Sequence, residues 1–343
     1  MGGAHMKVFY EADADLSVLT GKTIGMVGYG NQGRAQALNL RDSGVKVVVG
    51  NRDDEYAKAA LADGFTPVPI PQAVECGDIV MVLIPDEVQP SVYESMITPH
   101  LREGQTLSFA SGYNVHFNLI QPPRNLDVIM VAPRTIGREV RHAFERGGGV
   151  NADVDVRQDF TGSAWATTLA LAKGIGCTRA GAFHTSFGVE AELDLFSEQA
   201  LWPALFECLL TAYDILTEKG YPPEAVALEL YASGEAADIF RAMAENGIFE
   251  QMKFHSPTSQ YGVLSRQPGA TGDHEQLVAR MRQTLENIRN GQFAREWTRE
   301  QEAGYPKFDR LRNAAWKHAI NRADQDVRQL LDAGKSACAQ ASS

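Results

Sequence analysis

Basic residues are in short supply in this chain: Lys and Arg total 32 against 43 Asp and Glu, leaving a net charge of −11. No basic patch emerges, so the electrostatic footprint of a nucleic-acid binder is missing. Cysteine is also scarce. Cys76, Cys177, Cys208 and Cys338 lack both pair spacing and zinc-ligand spacing, which excludes a disulfide scaffold and suits a reducing cytoplasm. No apolar run approaches the length of a membrane span, and no basic flank, apolar core and small-residue cleavage site marks a signal peptide. Tandem repeats are absent, and the only low-complexity piece is "GKSACAQASS", which predicts a frayed tail over 331–343. The opening "MGGAHM" reads as a vector-derived leader over 1–5, with Met6 as the native start. What remains is an ordinary globular composition, 44% hydrophobic and 22% charged, in 343 residues, enough for two domains.

From about residue 22 to 150, short apolar runs alternate with helix-like stretches. "KTIGMVGYG", "VKVVVGNR", "DIVMVLIPD", "QTLSFASG" and "DVIMVAPR" are rich in Val, Ile, Leu and Met and end in turn or polar residues. Between them lie segments such as "GRAQALNLRDSG" and "YAKAALADG". Buried strands alternating with helices predict a doubly wound parallel sheet. After about residue 183 the period changes to 3.6, as in "SEQALWPALFECLLTAYDILTEKG" and "GDHEQLVARMRQTLENIRNGQFAREWTREQEAG", and an all-helical second domain is expected. The division is thus 6–182 for an α/β domain and 183–330 for an all-α domain.

"GYGNQG" places Gly28, Gly30 and Gly33 directly after a strand and at the mouth of a helix. The first glycine permits the tight turn, the second lets a pyrophosphate approach the backbone, and the third allows close helix–strand packing. The helix N-terminus faces the phosphate charge. Tyr29 and Gln32, within the same turn, join them as candidate cofactor contacts. The end of the second strand, "GNRDDEYAK", bears on the choice of dinucleotide. Asp53 or Asp54 can bind a ribose 2′-hydroxyl and would repel a 2′-phosphate, which favours NADH. Arg52 argues the other way, so NADPH stays open.

In "EAELDLFSEQA" four carboxylates, Glu190, Glu192, Asp194 and Glu198, crowd together. Such crowding is either a solvated helix face or a site for a hard cation, which takes oxygen ligands. Asp194 and Glu198 are four apart and share a helix face.

Taken together, "GKTIGMVGYGNQGRAQALNLRDSGVKVVVGNR", "VMVLIPDEVQ", "DLFSEQA", "EKGYPPE" and "NGQFAREW" resemble the class I (short-chain) ketol-acid reductoisomerases, also called acetohydroxyacid isomeroreductases. The resemblance covers nearly the whole chain. It implies a Rossmann-like nucleotide-binding domain followed by a knotted helical domain, with two subunits interlocked as a homodimer, or a larger homo-oligomer, sharing active sites. It also implies a magnesium-dependent alkyl shift followed by NAD(P)H reduction of a 2-acetohydroxy acid. On this pattern Asp194 and Glu198 match the family's paired ligands in "D-L-F-G-E", and Glu229 in "ALELYASGE" matches the first ligand from the partner subunit. One Mg²⁺ keeps its main ligands.

Three departures fall where the chemistry would occur. The family's second partner ligand becomes Ser233, a far poorer magnesium ligand. The histidine of "F-A-H-G" becomes Ser111 in "FASGYNVHF", which has neither the charge nor the proton exchange of imidazole. The lysine of "A-P-K-G-P-G" becomes Arg134 in "APRTIG", still cationic but planar and unable to release a proton. Ser256 in "HSPTSQYG" matches the family's "S-N-T-A-E-Y-G" serine, placed to hydrogen-bond a substrate carboxylate or amide. His184 and His255 read as surface or packing histidines. The catalytic set to be sought is therefore Asp194, Glu198, Arg134 and Ser111, with Ser256 and Glu229 on the substrate. Three functions follow: a Mg²⁺-assisted reductase of a small 2-keto acid, 2-hydroxy-3-keto acid or imine with the isomerase step impaired; an ordinary reductoisomerase of valine and isoleucine biosynthesis; or a nucleotide-binding pseudoenzyme.

Overall fold

Strands form where apolar and β-branched residues run together, and helices fill the gaps. The computed structural model describes residues 6–266 and 274–341. The expected leader 1–5 lies outside the described residues. Eight strands make one sheet: β1 Val8–Phe9, β2 Thr23–Val27, β3 Lys46–Gly50, β4 Ile79–Val82, β5 Thr106–Phe109, β6 Asp127–Pro133, β7 Ala152–Gln158 and β8 Ala182–His184. Their order is β1-β8-β7-β6-β5-β4-β2-β3. The five strands predicted from apolar runs are β2 to β6, and they pair in parallel. The parallel run ends at β7, which pairs antiparallel with β6. β7, "ADVDVRQ", escapes an apolar-run reading because Asp153, Asp155 and Arg157 interrupt it. Strand order reverses between β2 and β4, the topological switch point where such sheets open a ligand crevice at their carboxyl ends.

Two compact units divide the chain, Met1–Asp194 and Leu195–Ser343. The break falls after the expected position at 182, because β8 and residues 187–194 of the helix Phe187–Phe196 belong to the first unit. Gly112 explains how that helix is seated: a Cβ there would lie 2.0 Å from the Phe187 carbonyl oxygen. The helix Asn31–Asp42 is wedged similarly against Gly137–Glu145, where a Cβ on Gly137 would meet the Asn31 carbonyl oxygen at 1.9 Å. Two apolar clusters fill the sheet's faces, one around Met26, Leu40 and Ile129, the other around Val80, Leu107 and Met130.

Every element described in the second unit is helical. Its small core gathers Tyr213, Val226, Ala227, Ile320, Ala323 and Val327. Two helices pass through π turns, Ser197–Leu201 and Leu228–Ala232. Residues 331–341 of the expected frayed tail continue the helix Ile320–Ala341, and 342–343 lie outside the described residues. Among the described residues, one helical stretch, Phe187–Glu218, is long and apolar enough to cross a membrane by length and composition, with 11% of its most apolar window buried. Charged residues at 190–198 and 207 break it up on paper, which is why no continuous apolar run is legible there.

Candidate active site

The glycine turn has the geometry its spacing implies. Gly28 sits at φ +97°, and a Cβ there would press on the Leu83 carbonyl oxygen at 2.8 Å. At Gly33 a Cβ would strike the Gly28 carbonyl oxygen at 2.3 Å. Both glycines are demanded by the protein itself. Gly30 differs, since a Cβ there would meet nothing within 4 Å. Open space over that backbone is what an approaching pyrophosphate needs. The turn borders a cleft of about 630 Å³ lined by Gly28, Gly30, Gln32, Arg52, Pro85 and Ser111, a size suited to a dinucleotide. Gln32 donates its amide to the Thr135 carbonyl (2.8 Å), tying the turn to the loop after β6. Tyr29 also borders the cleft, but its hydroxyl is committed to Asp63 (2.9 Å), which in turn holds Arg34 at 2.6 Å. Burial and the Asp63 carboxylate raise the Tyr29 hydroxyl far above its ordinary pKa. The polar end of Tyr29 therefore anchors the glycine turn to the protein and is not offered to the cofactor.

At the end of β3 the two aspartates have different tasks. Asp54 caps the helix Glu55–Ala62, accepting from the Tyr56 and Ala57 amides, and also takes the Asn51 side-chain amide (2.8 Å). Its second oxygen binds Arg52 Nε at 2.7 Å. The Arg52 bond, followed by the amide bonds, holds the Asp54 carboxyl below its usual range. Asp54 thus caps the helix while also lining the cleft beside Arg52 and Tyr56. Asp53 is exposed beside it.

The third group gathers on Arg134, just past β6. Its Nη1 donates to Glu190 (2.7 Å), its Nη2 to Asp194 (2.9 Å), and its Nε stands 3.8 Å from Asp153. Glu190 is 2% exposed and accepts the Gly112 amide at 2.6 Å through its other oxygen, beside Ser111 on the cleft wall. Burial pushes the Glu190 carboxyl up to about 7, against the Gly112 amide and Arg134, which favour its charged form. Burial likewise works to strip Arg134 of its proton, but the charges of Glu190, Asp194 and Asp153 outweigh it and hold the guanidinium above its usual range. Glu192 lies 3.5 Å from His116 Nε2. Asp153 is a functional candidate absent from the sequence reading, because it sits in a strand that the apolar runs do not predict. Glu190, one of the four crowded carboxylates, stands one helical turn before Asp194 and takes its place in the site through Arg134.

The remaining candidates lie in the second unit. Glu198 is exposed in the π turn Ser197–Leu201, and Glu229 is exposed in the π turn Leu228–Ala232, with Ser233 at its end. Turns of this type recur at functional sites, and they also alter the four-residue spacing assumed for an α-helix. Ser256 caps the helix Pro257–Ser265, its oxygen accepting the Ser259 amide at 3.3 Å. His255 bonds Gln251 and His184 packs edge-on against Trp165, both as packing histidines.

A divalent cation fits this arrangement poorly. It would have to share Asp194 with a guanidinium that stays charged, and among the described residues no group of three or more His, Cys, Asp or Glu side chains is arranged to hold a metal.

Comparison with known proteins matches both units. Residues 18–181 match the acetohydroxy acid isomeroreductase NADPH-binding domain, and residues 187–333 match the ketol-acid reductoisomerase C-terminal domain. A ketol-acid reductoisomerase (NADP(+)) of Pyrobaculum neutrophilum is 43% identical over 327 residues, covering 95% of this chain and 99% of its own. A putative ketol-acid reductoisomerase 3 of Saccharolobus solfataricus is 44% identical over 93% of this chain and 96% of its own. Among solved structures, an NADH-preferring ketol-acid reductoisomerase from an uncultured archaeon superposes with a TM-score of 0.90 at 36% identity, covering 95% of this chain and 99% of that one. With the glycine turn, the switch-point cleft and both domains accounted for, the chain belongs to the ketol-acid reductoisomerase family and is an NAD(P)H-dependent oxidoreductase.

Proposed function

We infer that this family member reduces a small 2-keto acid, 2-hydroxy-3-keto acid or imine, and that the alkyl shift preceding reduction in its relatives is impaired. The observation that carries this is the Arg134–Glu190–Asp194 cluster, anchored through Glu190 to the amide of Gly112, the residue after the cleft-lining Ser111. An alkyl shift between two oxygen-bearing carbons calls for both oxygens to be held by Lewis-acidic cations. The chain offers one fixed guanidinium there, and Ser111 and Ser233 stand where an imidazole and a carboxylate would assist. Hydride transfer asks for less: a cofactor seated on the Gly28–Gly33 turn and one polarised C=O or C=N group. A bound nicotinamide supplies the hydride. Magnesium at Asp194, Glu198 and Glu229 has no part in this reading, because Arg134 on Oδ1 of Asp194 sets a fixed positive charge where the ion would bind.

NADH is the favoured cofactor. Asp53 is exposed at the end of β3, where it repels a 2′-phosphate, and the Arg52 charge is balanced by Asp54. The chain works as a homodimer or larger homo-oligomer, supported by the exposed Phe206, Phe240, Phe254, Leu311 and Trp316 of the second unit.

The test is turnover of 2-acetolactate with Mg²⁺, set beside pyruvate, hydroxypyruvate and 1-pyrroline as 2-keto-acid and imine probes. The expected result is NADH oxidation with at least one probe and no dihydroxy acid from acetolactate. Robust isomerisation with reduction would establish instead an ordinary reductoisomerase, the second reading, which the retained Asp194, Glu198 and Glu229 favour.

A further inference from the structure

A carboxylate that serves a divalent cation keeps an oxygen facing open space, with its neighbours turned away or neutral. Asp194 is 47% exposed and keeps Oδ2 open, but a guanidinium sits on its Oδ1 at 2.9 Å, so a divalent cation there would stand beside a fixed positive charge. That guanidinium is not a wandering surface group. Its Nη1 is bonded at 2.7 Å to Glu190, whose buried carboxylate is itself fixed by the Gly112 amide. The seat is thus built into the backbone next to Ser111, and the cation is delivered by the chain.

We propose that Arg134 takes the place of a divalent cation at Asp194, so that a fixed guanidinium polarises the substrate's C=O or C=N group and the enzyme works without Mg²⁺. This rests on the reductase reading for its chemistry, though not for its test. Guanidinium has five N–H donors in a rigid plane, and two are used on Glu190 and Asp194. Nε is 3.8 Å from Asp153, beyond a hydrogen bond, and 34% of the side chain is exposed, so donors remain for a small molecule. Lysine, a single point charge on a flexible stem, could not span both carboxylates and keep a planar edge for substrate. In the reaction, the carbonyl carbon accepts hydride and its electron pair from the reduced nicotinamide, forming the new C–H bond. The C=O π pair moves onto oxygen, where guanidinium N–H groups stabilise the developing charge. A solvent proton completes the hydroxyl, and the nicotinamide departs oxidised. A C=N group follows the same accounting to an amine. One fixed cation can hold one such atom, which matches reduction and not a shift between two.

Mn²⁺, a spectroscopic stand-in for Mg²⁺, gives the direct test by titration of the full-length protein with the free-ion spin-resonance signal as readout. Wild type is expected to leave that signal undiminished through the low millimolar range. Arg134→Met, which keeps bulk and removes charge, is expected to bind Mn²⁺ about tenfold to a hundredfold more tightly, the range by which neighbours of metal ligands alter affinity. Arg134→Lys serves where the Met variant does not fold, with a smaller gain in the same direction. Micromolar binding by wild type that Asp194→Asn abolishes would overturn the proposal, and so would variants that bind no better than wild type. With any probe that oxidises NADH, EDTA is expected to leave the rate unchanged, and loss of the rate would be equally decisive against it. Exclusion of Mn²⁺ by Arg134 with no probe turned over would sink the reductase reading and leave the guanidinium assignment standing.

Discussion

The two units bury their apolar residues to very different degrees. In Met1–Asp194, large side chains such as Met26, Leu107, Phe109 and Ile129 are sealed on either side of the sheet. In Leu195–Ser343, the described core is one small cluster, while Phe206, Phe254, Leu311 and Trp316 face outward. A unit of the first kind holds a substantial core of its own. A helical unit with so much exposed apolar surface is what the homo-oligomer proposed above would cover with a second copy of the chain. The same contrast divides the candidate site: the cofactor turn and the Arg134 cluster are complete within the first unit, whereas Glu198, Glu229 and Ser256 sit on exposed helical surface.

Core truncation should expose this contrast most sharply. Leu107→Ala, at a fully buried position, is expected to cost about 2–5 kcal/mol in urea unfolding. A loss below one kilocalorie would mean the first unit is less self-sufficient than its burial suggests. Next in size is Leu311→Asp, at a side chain 55% exposed within one copy. If a second copy covers it, association should weaken by about 1.5–3 kcal/mol, the worth of a buried leucine. Sedimentation equilibrium measures this, and an unchanged association constant would return that face to solvent. Asp54→Ala should lower the urea midpoint by uncapping the helix Glu55–Ala62, with a smaller effect than either. Asp53→Ser is expected to leave the midpoint alone and shift the ratio of NADH to NADPH binding towards NADPH. A constant ratio by fluorescence titration would remove Asp53 from the cofactor choice.

The first unit was legible because its signals are local. Five apolar runs gave five parallel strands, and Gly28, Gly30 and Gly33 could be assigned separate duties before any coordinate was known. β7 was hidden because alternate charged residues are tolerated near the sheet's end, and with it went Asp153. Arg134 was visible as a departure from its family, but its partners were not: Glu190 and Asp194 lie 56 and 60 residues away in sequence. The π turns at Ser197–Leu201 and Leu228–Ala232 leave no mark in the sequence, since residue spacing there reads like that of an α-helix. Tyr29 and Asp54 stand in the motifs that mark cofactor contacts and both line the cleft, while the hydroxyl of one bonds Asp63 and the carboxylate of the other caps a helix and pairs with Arg52.

That double commitment of Asp54 bears on how this lineage can change. One carboxylate starts a helix and balances Arg52, so any drift at this position is felt first as lost stability, before cofactor choice comes into play. Selection for a different dinucleotide would find the neighbouring position, Asp53, far easier to vary. The loop is therefore divided into a structural post and a free one, and laboratory evolution towards NADPH should accumulate its first substitutions at residue 53 while residue 54 stays aspartate.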